Sequence, residues 1–90
     1  MNPVITDSPL QLTEALVERE KYLHVEGTTT SVCIITLKGG FCAVGKSACV
    51  DRAEFNAELG AKLAREDAMR EAIKAVAFWM LVSDAETSAS

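Results

Sequence analysis

The stretch from Asp51 to about Val82, DRAEFNAELGAKLAREDAMREAIKAVAFWMLV, constrains the fold more than any other part of the chain. It contains no proline and one glycine, Gly60, and good helix formers fill most positions. Asp51 followed by Glu54 fits a capping box at its head. One continuous helix of this length would span roughly 45 Å, more than the roughly 30 Å diameter of a small domain. Part of it therefore overhangs the rest of the fold or packs on another subunit.

At 100° per residue, Phe55, Leu59, Leu63, Met69, Ile73, Val76, Ala77, Met80 and Leu81 share one broad sector, the expected core face. Lys62, Glu66 and Arg70 run along it at i, i+4, i+8. That row reads as a solvated, salt-bridged edge or as a polar patch completed by an anion or a partner's charge. Arg65 projects from the shoulder, while Phe78 and Trp79 point to other sides. The helix end is thus apolar nearly all round, which argues for self-association.

Ninety residues make one small domain, with a core over about 9–82 and flexible tails at 1–7 and 83–90. A core this small gains from oligomerisation. The net charge of −4 argues against a nucleic-acid polymer or an anionic membrane as partner. Cys33, Cys42 and Cys49 form no CxxC and have no paired histidines, so neither a metal site nor a disulfide framework is expected. Reduced thiols and no signal peptide point to a cytoplasm. No apolar run reaches transmembrane length.

In chain order, Ser8 before Pro9 heads a helix expected from about Pro9 to Lys21, with Leu12, Leu16 and Val17 on its apolar face. Tyr22–Thr30 reads as a connector with room for a short edge strand at Tyr22–Val25. His24, the single histidine, has no catalytic partner placed by a motif. Ser31–Leu37 and Phe41–Ser47 flank Lys38-Gly39-Gly40 as the arms of a hairpin. The expected fold is α+β: a short N-terminal helix, a two-stranded antiparallel β-hairpin and one long C-terminal helix, in an oligomer.

Gly40–Ser47, GFCAVGKS, satisfies the phosphate-loop pattern G-x-x-x-x-G-K-[ST]. That chemistry needs a loop between a strand and a helix beginning at the Gly-Lys-Ser. Phe41, Cys42, Ala43 and Val44 are strand formers instead, and the helix signal comes only at Asp51. The match therefore reads as an accident within a hairpin strand.

Residues 27–72 carry a pattern of their own. Gly27, Thr28, Thr29, Cys33, Leu37, Gly40, Phe41, Gly45, Ser47, Ala48, Cys49, Val50, Phe55, Glu58, Gly60, Ala64, Asp67 and Ala68 fall in its order and spacing. This segment, about half the chain, resembles a family of small tailed-phage proteins named after gene forty-nine and gene sixty-six of two phages. The resemblance fades at Ala75–Leu81, which is more apolar than the family's usual Trp-Glu-Leu-Glu-Gly-Tyr-like segment. That family is in turn similar to the first type of Thoeris anti-defence protein, which sequesters cyclic nucleotide signals of bacterial immunity without cleaving them.

The resemblance implies a ligand of the glycocyclic ADP-ribose or cyclic oligonucleotide class, a dimer or hexamer, and action in the cytoplasm of the infected bacterial host. It assigns Arg65 and Arg70 to phosphate, Phe41 to stacking on a base, and Asn56 and Asp67 to ribose hydroxyls or base amines. Arginine forks and aromatic rings suit those tasks. The same residues also read as helix surface or hairpin core. No nucleophile–base pair or metal constellation is visible, so no enzyme and no cofactor is expected. The competing reading is a small phage protein that binds and inhibits a host protein through its apolar helix end.

Overall fold

A computed structural model describes residues 8–89, with side chains described through Ser83. The expected tail at 1–7 lies outside the described residues. Helix α1 (Pro9–Leu16) leads into strands β1 (Val17–His24), β2 (Thr30–Leu37) and β3 (Cys42–Ala48). A 3-10 turn (Arg52–Glu54) then precedes helix α2 (Ala57–Ala89). The expected N-terminus of α1 is present: the Ser8 side chain accepts from the Gln11 amide, Gln11 reaches back to the Ser8 amide, and Pro9 occupies the first turn.

The sheet is three-stranded, antiparallel and ordered β1-β2-β3, which corrects the expected two-stranded hairpin. The helix expected to reach Lys21 stops at Leu16, and Val17–His24 becomes a full edge strand. Its residues Glu18, Arg19, Glu20 and Lys21 favour a helix in isolation. Pairing with β2 overrides that preference: Tyr22 lies opposite Cys33 and His24 opposite Ser31. The Lys38 amide donates to the Leu16 carbonyl at 2.8 Å, fixing the corner where helix turns into strand. A bulge at Glu18 absorbs the change of register. Between β2 and β3, Gly39 and Gly40 both take positive φ, as a tight turn at this point requires.

The long helix begins later than its capping box implies. Asp51 caps only the 3-10 turn, accepting from the Ala53 amide at 3.0 Å. Phe55 is extended, and its ring stacks on His24 with centroids 5.3 Å apart. Asn56 then caps α2, its Oδ1 accepting from the Leu59 amide at 3.1 Å. At the other end α2 is assigned to Ala89, through the segment expected to be a polar tail.

The face of α2 that packs on the sheet is built from small residues. Ala64, Ala68 and Ala72, with Met69 and Val76, bury against Cys33, Ile35, Leu37 and Ala43. Of the expected core face, Met69 and Val76 are buried, Ile73 and Met80 half-buried, and Leu59, Leu63 and Leu81 exposed. The reason is Gly45. A Cβ built there would lie 2.1 Å from the Ala68 amide nitrogen and 2.4 Å from the Ala64 carbonyl oxygen. The helix backbone rests directly on the strand, and only alanines fit beside the contact.

Eight-residue strands span about 26 Å, whereas 33 residues of helix span about 50 Å. The long axis of the molecule is 56 Å. Past Val76 only Met80 among the described residues still packs against the core, and Phe78, Trp79, Leu81 and Val82 stand exposed on the overhang. α2 packs on β2 and β3 and α1 packs on α2, so both helices lie on one side of the sheet.

Candidate functional site

The helix residues singled out from sequence have partners within the fold. Arg65 leans toward β1, where its Nε and one terminal nitrogen donate to Glu20 Oε2 at 3.1 and 3.0 Å. The same terminal nitrogen lies 3.5 Å from Glu14. The Tyr22 hydroxyl donates to the other Glu20 oxygen at 2.6 Å. The Arg65 guanidinium holds the Glu20 carboxyl below its ordinary range, and the Tyr22 hydroxyl adds to that. Its hydrogen bond to Glu20 in turn pushes the Tyr22 phenol up to about 12. Arg65 thus clamps α2 to α1 and β1.

Asp67 leans the opposite way. Its Oδ2 accepts from the Lys46 amide at 3.0 Å, on the outer edge of β3. Its Oδ1 pairs with Arg70 at 3.2 Å. The Lys46 amide, and after it Arg70, lower the Asp67 carboxyl below its ordinary range. A carboxylate on a free strand edge satisfies backbone and blocks edge pairing at once. Lys62, Glu66 and Arg70 are all exposed, and the ion pair along this part of the helix is Arg70 with Asp67. Asn56 serves as the cap of α2, beside a hollow of about 200 Å³ that Cys49, Phe55 and Leu59 also line.

Phe41 stands apart from all of these, on the rim of a separate cleft. That cleft, of about 350 Å³, is lined by Leu16, Leu37, Lys38, Gly39, Phe41, Ala75, Val76 and Trp79. It opens where the β2–β3 turn meets the start of the α2 overhang. Two aromatic rings and aliphatic side chains form its walls, and Lys38 supplies its one charged group. In size it falls at the lower end of small-ligand sites, about 300–1,000 Å³.

A single chain therefore does not bring the five candidate residues together. Phe41 is at the cleft, Asn56 at the far end of α2, Arg65 on the β1 side, and Asp67 with Arg70 on the β3 side. Trp79 and Lys38 are the cleft residues that sequence reasoning missed. The signal for Trp79 was its i+3 spacing from Val76, which puts both on one side of α2. The phosphate-loop match lies in β3, with Gly45 packed on α2 and the Lys46 amide bonded to Asp67, so no phosphate cradle forms there.

His24 stacks on Phe55, and its Nε2 lies 2.6 Å from the Thr28 carbonyl, to which it donates. Cys33 is fully buried, and burial pushes its thiol up. Among the described residues no three His, Cys, Asp or Glu side chains converge as metal donors. No described helix is long and apolar enough to cross a membrane.

No curated protein and no solved structure matches the chain. A family model does match, over residues 9–83, from the first turn of α1 to the overhang of α2. The chain thus belongs to the Phage protein (N4 Gp49/phage Sf6 gene 66) family.

Proposed function

We propose that this phage protein acts in the cytoplasm of the infected host as a binding protein that sequesters a cyclic nucleotide immune signal without cleaving it. The observation that carries this reading is the Phe41–Trp79 cleft. Its volume suits a nucleobase with part of its sugar, its two rings offer stacking surfaces, and Lys38 can meet a phosphate. No nucleophile–base pair lines it, which favours capture over turnover. Membership of a phage family is consistent with a counter-defence role, and the ligand class is taken from the resemblance to Thoeris anti-defence proteins read in the sequence. The protein works as a dimer or hexamer, with the exposed α2 end as the assembly surface.

Trp79 is the one tryptophan of the chain and reports directly on the cleft. Titration with cyclic ADP-ribose isomers and cyclic di- and trinucleotides should change its fluorescence and raise the melting temperature, because a ligand of the folded state alone must stabilise it. Phe41→Ala and Lys38→Gln should weaken both responses, and heating should release the ligand intact. A panel that leaves melting temperature and fluorescence unchanged would sink the reading. The exposed Phe78, Trp79, Leu81 and Val82 favour a second reading, inhibition of a host protein docked on the overhang. A flat ligand panel together with one stoichiometric host partner, lost in Phe78→Glu, would select it.

A further inference from the structure

We propose that the uncovered face of the sheet binds a small ligand carrying several phosphates, at a site separate from the cleft. The register places nine residues on this face in three cross-strand rows: Arg19, Thr36 and Cys42; Lys21, Ile34 and Val44; Leu23, Val32 and Lys46. Their neighbours in each strand, among them Glu20, Cys33, Ile35, Ala43 and Gly45, face α2.

The nine positions hold three cations and no carboxylate, in a chain of nine basic and thirteen acidic residues. Such segregation leaves a local positive field on an acidic protein. Glu18 falls in the bulge, outside the register, and Glu20 is turned to the other face and held by Arg65. Elsewhere Arg65, Arg70 and Lys74 are each matched by carboxylates, while Lys38, Arg52 and Lys62 have no ion-pair partner among the described residues but stand apart on other elements. Arg19 and Lys21 have no ion-pair partner among the described residues, and Lys46, whose charge acts on Asp67 from beyond ion-pair distance, keeps an exposed side chain, so an incoming anion meets charge that is at most partly offset.

Size and charge select the occupant. Strand and residue spacings give the nine positions roughly 300 Å² and put the three cation backbones within about 17 Å of one another. A stable protein interface takes about 800 Å² per partner, so this face alone is too small for one. Pairing with the same face of a second copy would oppose three cations to three cations with no acid between them, which repels. A small polyanion avoids both objections. Lysine and arginine side chains can close on its phosphates. Val32, Ile34 and Val44 give an aliphatic floor for a sugar or base.

The test is calorimetric titration of the full chain at low salt with inorganic tripolyphosphate and, separately, with ATP. Both should bind, ATP more tightly because it also covers the aliphatic floor, and added sodium chloride should weaken both. Arg19→Gln, Lys21→Gln and Lys46→Gln should each weaken binding by about fivefold, and the triple variant should abolish it. These side chains are exposed, so melting temperatures confirm that the variants fold. Lys74→Gln, which removes a cation on α2, should leave affinity unchanged. Trp79 fluorescence should stay constant when tripolyphosphate binds, separating this face from the cleft and its failure from failure of the nucleotide reading. Unchanged affinity in the triple variant, or no binding heat with either probe, overturns the proposal. So does a single-stranded oligonucleotide that binds far more tightly than ATP, which would put a polymer on the face.

Discussion

Gly45 decides how closely the two layers of this protein approach. Gly45→Ala would drive a Cβ into helix backbone at Ala64 and Ala68, and neither side of that contact is a flexible side chain. We expect a loss of about 3 kcal/mol or more in urea unfolding, at the upper end for overpacking. In sequence the same glycine belonged to a phosphate-loop match, and nothing local distinguishes the two roles. The cluster of Glu20, Tyr22 and Arg65 makes stability depend on pH in both directions. The Glu20 carboxyl is lowered in the fold, so its contribution is full above the unfolded value, about 4.3, and fades as pH falls through the folded one. The Tyr22 phenol is raised to about 12, so its contribution is full below the unfolded value, about 10, and is lost as pH rises toward 12. Glu20→Gln should flatten both limbs of the stability profile and cost about 1 kcal/mol at neutral pH.

At the scale of elements, the beginning of α1 and the existence of α2 were legible because caps, proline and helix formers act locally. Ser8, Pro9 and Gln11 perform in the structure the task their order implies. The end of α1 was not legible. Glu18 to Lys21 prefer a helix by themselves, and only the open edge of β2 recruits them into a strand. The start of α2 was misplaced for a similar reason: Phe55 leaves the helix to stack on His24, 31 residues earlier, and Asn56 becomes the cap. Asn56→Ala should therefore lower stability by about 1 kcal/mol in thermal melts followed by circular dichroism, and Asn56→Asp should keep it. The packed face of α2 gives a further check. Leu63→Glu should change stability by no more than about 0.5 kcal/mol, as at an exposed site. A loss of several kcal/mol would mean that α2 buries its leucines instead of its alanines.

Considered whole, the molecule is a sheet of short strands carrying a helix nearly twice as long as the sheet can cover. The uncovered helix end presents Phe78, Trp79, Leu81 and Val82, and the cleft of Phe41 and Trp79 lies at its root. An apolar end of this kind should associate. Sedimentation at increasing concentration should show a dimer or larger species, and Phe78→Glu with Leu81→Glu should shift it to monomer while the far-ultraviolet spectrum persists. The other side of the sheet, cationic and bare, offers a different chemistry to solvent. Of the five candidate ligand residues, Phe41 lines the Trp79 cleft; Arg65 and Asp67 tie α2 to the two sheet edges, Arg70 pairs with Asp67, and Asn56 caps the helix.

By itself the sequence determined the α+β class, the capped first helix, the strands on either side of Lys38-Gly39-Gly40 and a terminal helix too long for its domain. Those features follow from propensity, capping and turn chemistry, which act over a few residues. Tertiary structure decided that Val17–His24 is a strand, that alanines and not leucines face the sheet, and that Trp79 and Phe41 line one cleft. Each of these depends on what lies opposite: a free strand edge, a glycine without a side chain, a hairpin turn beside a helix. Partners brought close only by folding leave no periodic mark in the chain.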